Sequence, residues 1–188
     1  ISQEPSFRPA DLRTLIQNRK DSEKQLNLRL SLVQEIIEGA DSAIFSIDAE
    51  FCYSSYNKRH ARDMQDIYGS EIAAGQKIAG FVPVEKDLQK LLGLLEQALA
   101  GEQGVISDYF GDNARSRRYF DLSYYPVRTP AGLIAGAAVI ATDTTLRKKS
   151  ERSLAEREER FRRLAEDSPD FLYRMTIPEG KYEYVSPG

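Results

Sequence analysis

The sequence predicts an α+β fold: a five-stranded antiparallel sheet with helices on one face, flanked by long N- and C-terminal helices. Three observations predict it. Strand-like runs come as two, then helical segments, then three more strands, an order that excludes an alternating parallel α/β chain. The last three runs are joined by Gly-Asp-Asn-Ala-Arg-Ser and Thr-Pro-Ala-Gly, which have turn chemistry. Long helical stretches with a narrow apolar content precede the first run and follow the last.

Taken in order, residues 1–10 carry two prolines and read as a loose lead-in. Residues 11–39 predict an amphipathic linker helix that Gly39 stops. Leu12, Ile16, Leu26, Leu30, Val33 and Ile37 share one 3-4 seam, interrupted by Arg19 and Glu23. At 1.5 Å per residue such a helix is about 43 Å long, more than a small domain is wide. It either packs on its own domain or pairs with a second copy through a dimer seam of Leu26, Leu30, Val33 and Ile37. Ala43–Asp48 and Phe51–Asn57 read as a hairpin. Lys58–Tyr68 returns to helical spacing, with Ala61, Met64, Ile67 and Tyr68 on one side and Gly69 as its stop. Residues 73–82 are glycine-broken and ambiguous. Glu85–Ala100 has a leucine stripe (Leu88, Leu91, Leu92, Leu95, Leu99) and reads as a helix.

Three strands follow, over Val105–Phe110, Arg117–Arg128 and Leu133–Asp143. Alternation points Phe45, Ile47, Phe120, Leu122, Tyr124, Ala137, Val139 and Ala141 toward the helices. It points Tyr119, Asp121, Ser123 and Tyr125 outward. Residues 146–166 form a charged connector helix of eight basic and five acidic residues, unable to build a core alone.

Composition restricts function. The 188 residues hold 26 basic and 29 acidic side chains, a net charge of −3, which argues against an obligate polyanion binder. The basic clusters Arg115–Arg118 and Arg147–Lys149 are short and offset by nearby acids, so no nucleic-acid partner is expected. The longest apolar run, Leu133–Ala141, falls far short of the roughly 20 residues of a membrane span. No signal segment opens the chain. A cytoplasmic location without membrane contact is therefore expected of these residues, whatever anchors a longer parent. One cysteine, Cys52, and one histidine, His60, leave no internal disulfide, no multi-cysteine or two-histidine metal motif, and no recognisable catalytic constellation.

An internal echo is also present. Glu38–Ile47 aligns with Glu166–Met175 at an offset of 128 residues, each a helix end, a polar turn and an apolar strand start. Lys181–Ser186 then reads as a returning strand, as Phe51–Tyr56 does. Residues 161–188 are read as the truncated start of a second copy of the domain.

The order of hairpin, short helices, long helix and three strands, closed by Asp143-Thr144-Thr145 and a charged helix, resembles a PAS (Per-Arnt-Sim) domain. The likeness covers residues 31–145. Asn57–His60, Ile67-Tyr68-Gly69, Gly75 and Tyr119–Pro126 fit the same family, and Arg160–Asp170 resembles the phrase that opens a PAS repeat. The resemblance implies a sensory module of a multi-PAS signalling protein, with a sensor histidine kinase of a two-component system as the expected parent and a diguanylate cyclase as the other output. It implies no enzymatic activity for this segment. It gives Asp143 and Thr145 the role of coupling the sheet to the helix that follows.

The resemblance also lets cofactors be weighed. Light-sensing relatives carry a reactive cysteine in the segment corresponding to Ala73–Phe81, where there is none, and a glutamine where Ala141 stands. Haem-binding relatives place a histidine on the long helix, and Glu85–Ala100 has none. Photoactive flavin and haem are therefore not expected, and the cofactor is left unassigned. A small organic ligand in the core is expected to meet Phe45, Tyr53, His60, Met64, Leu91, Phe120, Leu122, Tyr124 and Ala141. The expected function is sensing of a small ligand or partner in or on the core, relayed through the flanking helices of a homodimer to a downstream output domain. The alternative is a ligand-free dimerisation or scaffolding module.

Overall fold

A computed structural model of the chain describes residues 9–166, 173–176, 178 and 180–185. Helix α1 spans Pro9–Glu38 and begins two residues earlier than expected, because a proline at the first helical position loses no hydrogen bond. The rest of the expected lead-in lies outside the described residues. Strands β1 (Ala43–Asp48) and β2 (Tyr53–Tyr56) form the hairpin. β2 is shorter than its apolar run. Phe51 takes a left-handed φ of 62°, and Asp48 Oδ1 accepts the amides of Glu50 and Cys52, so the turn absorbs residues 49–52. Helices α2 (Lys58–Tyr68) and α3 (Glu85–Leu99) flank a 3-10 turn at Ile78–Gly80, which resolves the ambiguous stretch. Strands β3 (Gly104–Phe110), β4 (Arg118–Arg128) and β5 (Ile134–Asp143) follow, and then helix α4 (Thr145–Glu166).

All strand pairs of the main sheet are antiparallel, in the order β2-β1-β5-β4-β3. The predicted fold class and its five strands are present. Every residue assigned to the inner face is buried, from Phe45 and Ile47 to Val139 and Ala141. Gly136 permits the closest approach in the sheet: a Cβ there would lie 2.1 Å from the Ile47 carbonyl oxygen.

Two polar devices fix the ends of the sheet. Asn57 is fully buried and uses both ends of its amide. Its Oδ1 accepts from the amides of Ile44 (3.0 Å) and His60 (2.9 Å), capping α2, while Nδ2 donates to the carbonyls of Ile37 (2.9 Å) and Ser42 (3.0 Å). The start of β1 pairs with the end of β5, Ala43 opposite Ala141, and the Ser42 and Thr142 hydroxyls lie 2.9 Å apart. The chain thus enters the sheet from α1 and leaves it toward α4 at one corner.

The seam of α1 does not pack on its own domain. Leu26, Leu30 and Val33 are each more than half exposed, and Ile37 is 37% exposed where the helix reaches the sheet. Strands β6 (Tyr173–Met175) and β7 (Tyr182–Val185) form a separate antiparallel hairpin after α4. Residues 171, 172 and 186 of the expected strands lie outside the described residues.

Candidate functional site

Between the sheet and helices α2 and α3 lies a cavity of about 50 Å³. Seven of the nine residues expected around a ligand line it: Phe45, His60, Met64, Leu91, Phe120, Leu122 and Ala141. The other two are buried but turned to other tasks. Tyr53 holds its hydroxyl 3.0 Å from His60 Nε2, and Tyr124 donates to Gln97 Oε1 at 2.6 Å beneath Gly104. Sequence reasoning missed Ala43, Asp63, Ile67, Tyr68 and Phe110, which complete the wall.

His60 is set by its neighbours. It is buried, stacks on Phe45 with ring centres 4.3 Å apart, and meets the Tyr53 hydroxyl. Burial pushes its pKa down to about 3, so it is neutral at ordinary pH. Burial, then the neighbouring Tyr56, pushes the Tyr53 hydroxyl up. Because the folded pKa of His60 lies below the ordinary 6.5, only the unfolded chain gains this proton between pH 6.5 and about 3. Its contribution to stability is full above pH 6.5 and is lost as pH falls through that window, by up to about 1.4 kcal/mol per pH unit. Chemical denaturation at pH 7 and pH 5 should show this loss in the wild type and a smaller one in His60→Phe. Equal losses in the two proteins would remove His60 as the cause.

Asp63 is the charged residue of the wall, and its charge is spent. Its Oδ2 accepts from Arg59 Nε at 3.0 Å and its Oδ1 from Arg118 Nη1 at 3.2 Å. Arg118 also reaches Asp66 Oδ2 at 3.0 Å, and its Nη1 lies 3.8 Å from Asp143 Oδ2. It therefore joins α2 to the end of β5.

At that end stand the two residues assigned to coupling. Asp143 Oδ1 accepts from the Thr145 amide (2.9 Å) and hydroxyl (2.6 Å), and the Thr145 Oγ1 accepts the Tyr119 amide at 2.8 Å. The first turn of α4 is held on β4 by the ion pair of Arg147 with Asp121 (2.7 Å) and by Lys148 over the Tyr119 ring (5.3 Å). Asp121 and Tyr119, expected to face outward, thus hold α4.

A second buried carboxylate was not foreseen. Asp87 in the first turn of α3 is fully buried. It accepts from the Tyr68 hydroxyl (2.9 Å), the Gly111 amide (2.8 Å) and both terminal nitrogens of Arg117 (3.1 and 3.3 Å). Tyr68 of the cavity wall is held directly by this cluster, and Phe110 of the wall lies between Tyr109 and Gly111, whose backbone groups the cluster binds. Among the described residues no helix is long and apolar enough to cross a membrane.

The sequence profile of the family described as "PAS fold" matches residues 37–149. No curated protein matches the sequence. Among solved structures, the PAS domain of BvgS from Bordetella pertussis is similar over 71% of this chain and 98% of its own, with 18% identity and a TM-score of 0.50. A sensory box histidine kinase/response regulator from Burkholderia thailandensis is similar over 70% and 98%, with 17% identity and a TM-score of 0.50. An RNA-binding light-oxygen-voltage receptor is similar over 71% of this chain and 38% of its own, with 14% identity and a TM-score of 0.53. At these identities the likeness is one of fold.

Proposed function

The chain belongs to the PAS-fold family, whose members are sensory modules of signalling proteins, and we propose that this one senses a small molecule in its core cavity and passes the bound state to α4. One observation carries the reading. Asp63 lines the cavity and shares Arg118 with Asp143, the residue that fastens the first turn of α4. An occupant that displaces α2 changes the distance between Asp63 and Arg118, and with it the geometry at Asp143. A ligand shifts such an equilibrium only by its difference in affinity for the two arrangements. The exposed seam of α1 fits pairing with a second copy, which would set the two α4 helices side by side in a parent such as a sensor histidine kinase. The β6–β7 hairpin fits the start of a second such domain.

Hydrogen exchange tests the connection. Asp143→Ala and Arg118→Met should speed exchange at residues 145–149 roughly fivefold, the equivalent of the about 1 kcal/mol that a lost cap costs. Protection in β1 and β5 should stay as in the wild type. Unchanged exchange in that turn in both variants would sink the connection. Sedimentation of the same proteins tests pairing, since a wild type that sediments as a monomer at micromolar concentration does not pair through α1. Pairing without any ligand response in the α4 exchange would favour the scaffolding alternative, which the exposed seam also supports.

A further inference from the structure

We propose that the cavity takes an uncharged, mainly hydrocarbon small molecule of a few heavy atoms. The inference rests on the pocket reading above and narrows it to a chemical class. Three features of the wall lead there.

The first is charge. Both oxygens of Asp63 are engaged by guanidinium groups, and His60 is kept neutral by burial. An anion would face the Asp63 carboxylate without a free cation in the lining. A cation would have to displace one of two arginines already paired with it. Burying either without a partner costs several kcal/mol.

The second is hydrogen-bonding capacity. The Tyr68 hydroxyl is committed to Asp87, and His60 Nε2 to Tyr53. Among the described residues no buried side-chain nitrogen or oxygen lacks a hydrogen-bond partner, and the surface facing the cavity is almost wholly apolar. A water held there would need two to four polar partners, which this wall does not present.

The third is size. About 50 Å³ is a third of the roughly 150 Å³ of an apolar cavity that binds benzene. The small residues Ala43 and Ala141 leave the space on the sheet side. Met64, unbranched and with three rotatable bonds, is the part of the wall that adapts.

Methionine makes the test specific. The chain has two, Met64 in the wall and Met175 in β6, which is exposed. The full chain labelled with 13C at both methyl groups would be titrated with xenon, n-butanol, butyrate and butylammonium. Xenon and butanol should shift the Met64 methyl signal saturably and leave Met175 in place. Butyrate and butylammonium at the same concentrations should move neither. A Met64 response to either ion as large as that to butanol would overturn the chemical class while leaving the pocket reading intact. Silence of Met64 toward all four probes would remove the pocket reading itself.

Discussion

Asp87→Ala should lower the stability of the domain by about 3–5 kcal/mol, the usual cost of removing one partner from a buried ion pair. The substitution strands three donors together: the Tyr68 hydroxyl, the Gly111 amide and the Arg117 guanidinium. At about 2–8 °C per kcal/mol for domains of this size range, the midpoint of thermal unfolding should fall by about 10 °C or more. Three further variants separate the causes. Tyr68→Phe removes one neutral donor and should cost about 1 kcal/mol. Arg117→Met leaves the carboxylate without its counter-charge and should come close to Asp87→Ala. The double variant Asp87→Ala/Arg117→Met removes both charges and should recover part of the loss, giving a coupling of the kind expected for contacting groups. A loss below about 1 kcal/mol in Asp87→Ala would show that the cluster is not the clasp inferred from its geometry. Because Tyr68 and Phe110 both line the cavity, the stability deficit should come with altered ligand responses of the Met64 methyl.

Asn57→Ala should be nearly as damaging, by about 3 kcal/mol. It removes the cap of α2, typically worth about 1 kcal/mol, and leaves the Ile44 amide and two carbonyls without partners in a buried place. Asn57→Asp is the informative comparison. It keeps the acceptor toward Ile44 and His60, but it loses both donors and sets a negative charge against the Ile37 and Ser42 carbonyls. Equilibrium unfolding should therefore place the aspartate variant between wild type and alanine, or below alanine if the repulsion dominates. Amide exchange should show the last turn of α1 loosened in both variants. A wild-type midpoint for either would contradict the accounting of four hydrogen bonds made by one side chain.

The fold was legible where a single local rule governs. Alternation along β4 and β5 assigned the inner face because every second residue there meets the helices. Lys58–Tyr68 was bounded correctly because its cap and its αL glycine both lie within one residue of its ends. The cavity was partly legible for the same reason, through Phe120, Leu122 and Ala141. Charged wall and clasp residues were not. Asp63 meets Arg118 across 55 positions, and Asp87 meets Arg117 across 30. A carboxylate read alone is assigned to solvent, and only the tertiary fold brings the cation to it. The one local hint was Arg59 four residues before Asp63, a helical spacing that places the pair on one face. Tyr53 and Tyr124 were correctly turned inward, but their hydroxyls found His60 and Gln97 rather than the cavity, a choice that alternation cannot reveal.

The corner where Ser42 meets Thr142 has a consequence for the architecture of any longer protein that contains this unit. Since entry and exit lie side by side, the domain is an appendage to the helices rather than a span between them. A unit attached this way can be duplicated, exchanged or deleted without lengthening the path from α1 to α4 by more than a few ångströms. The 128-residue offset between Glu38 and Glu166 would then be the repeat length of a tandem array, each unit side-loaded on a shared helical track.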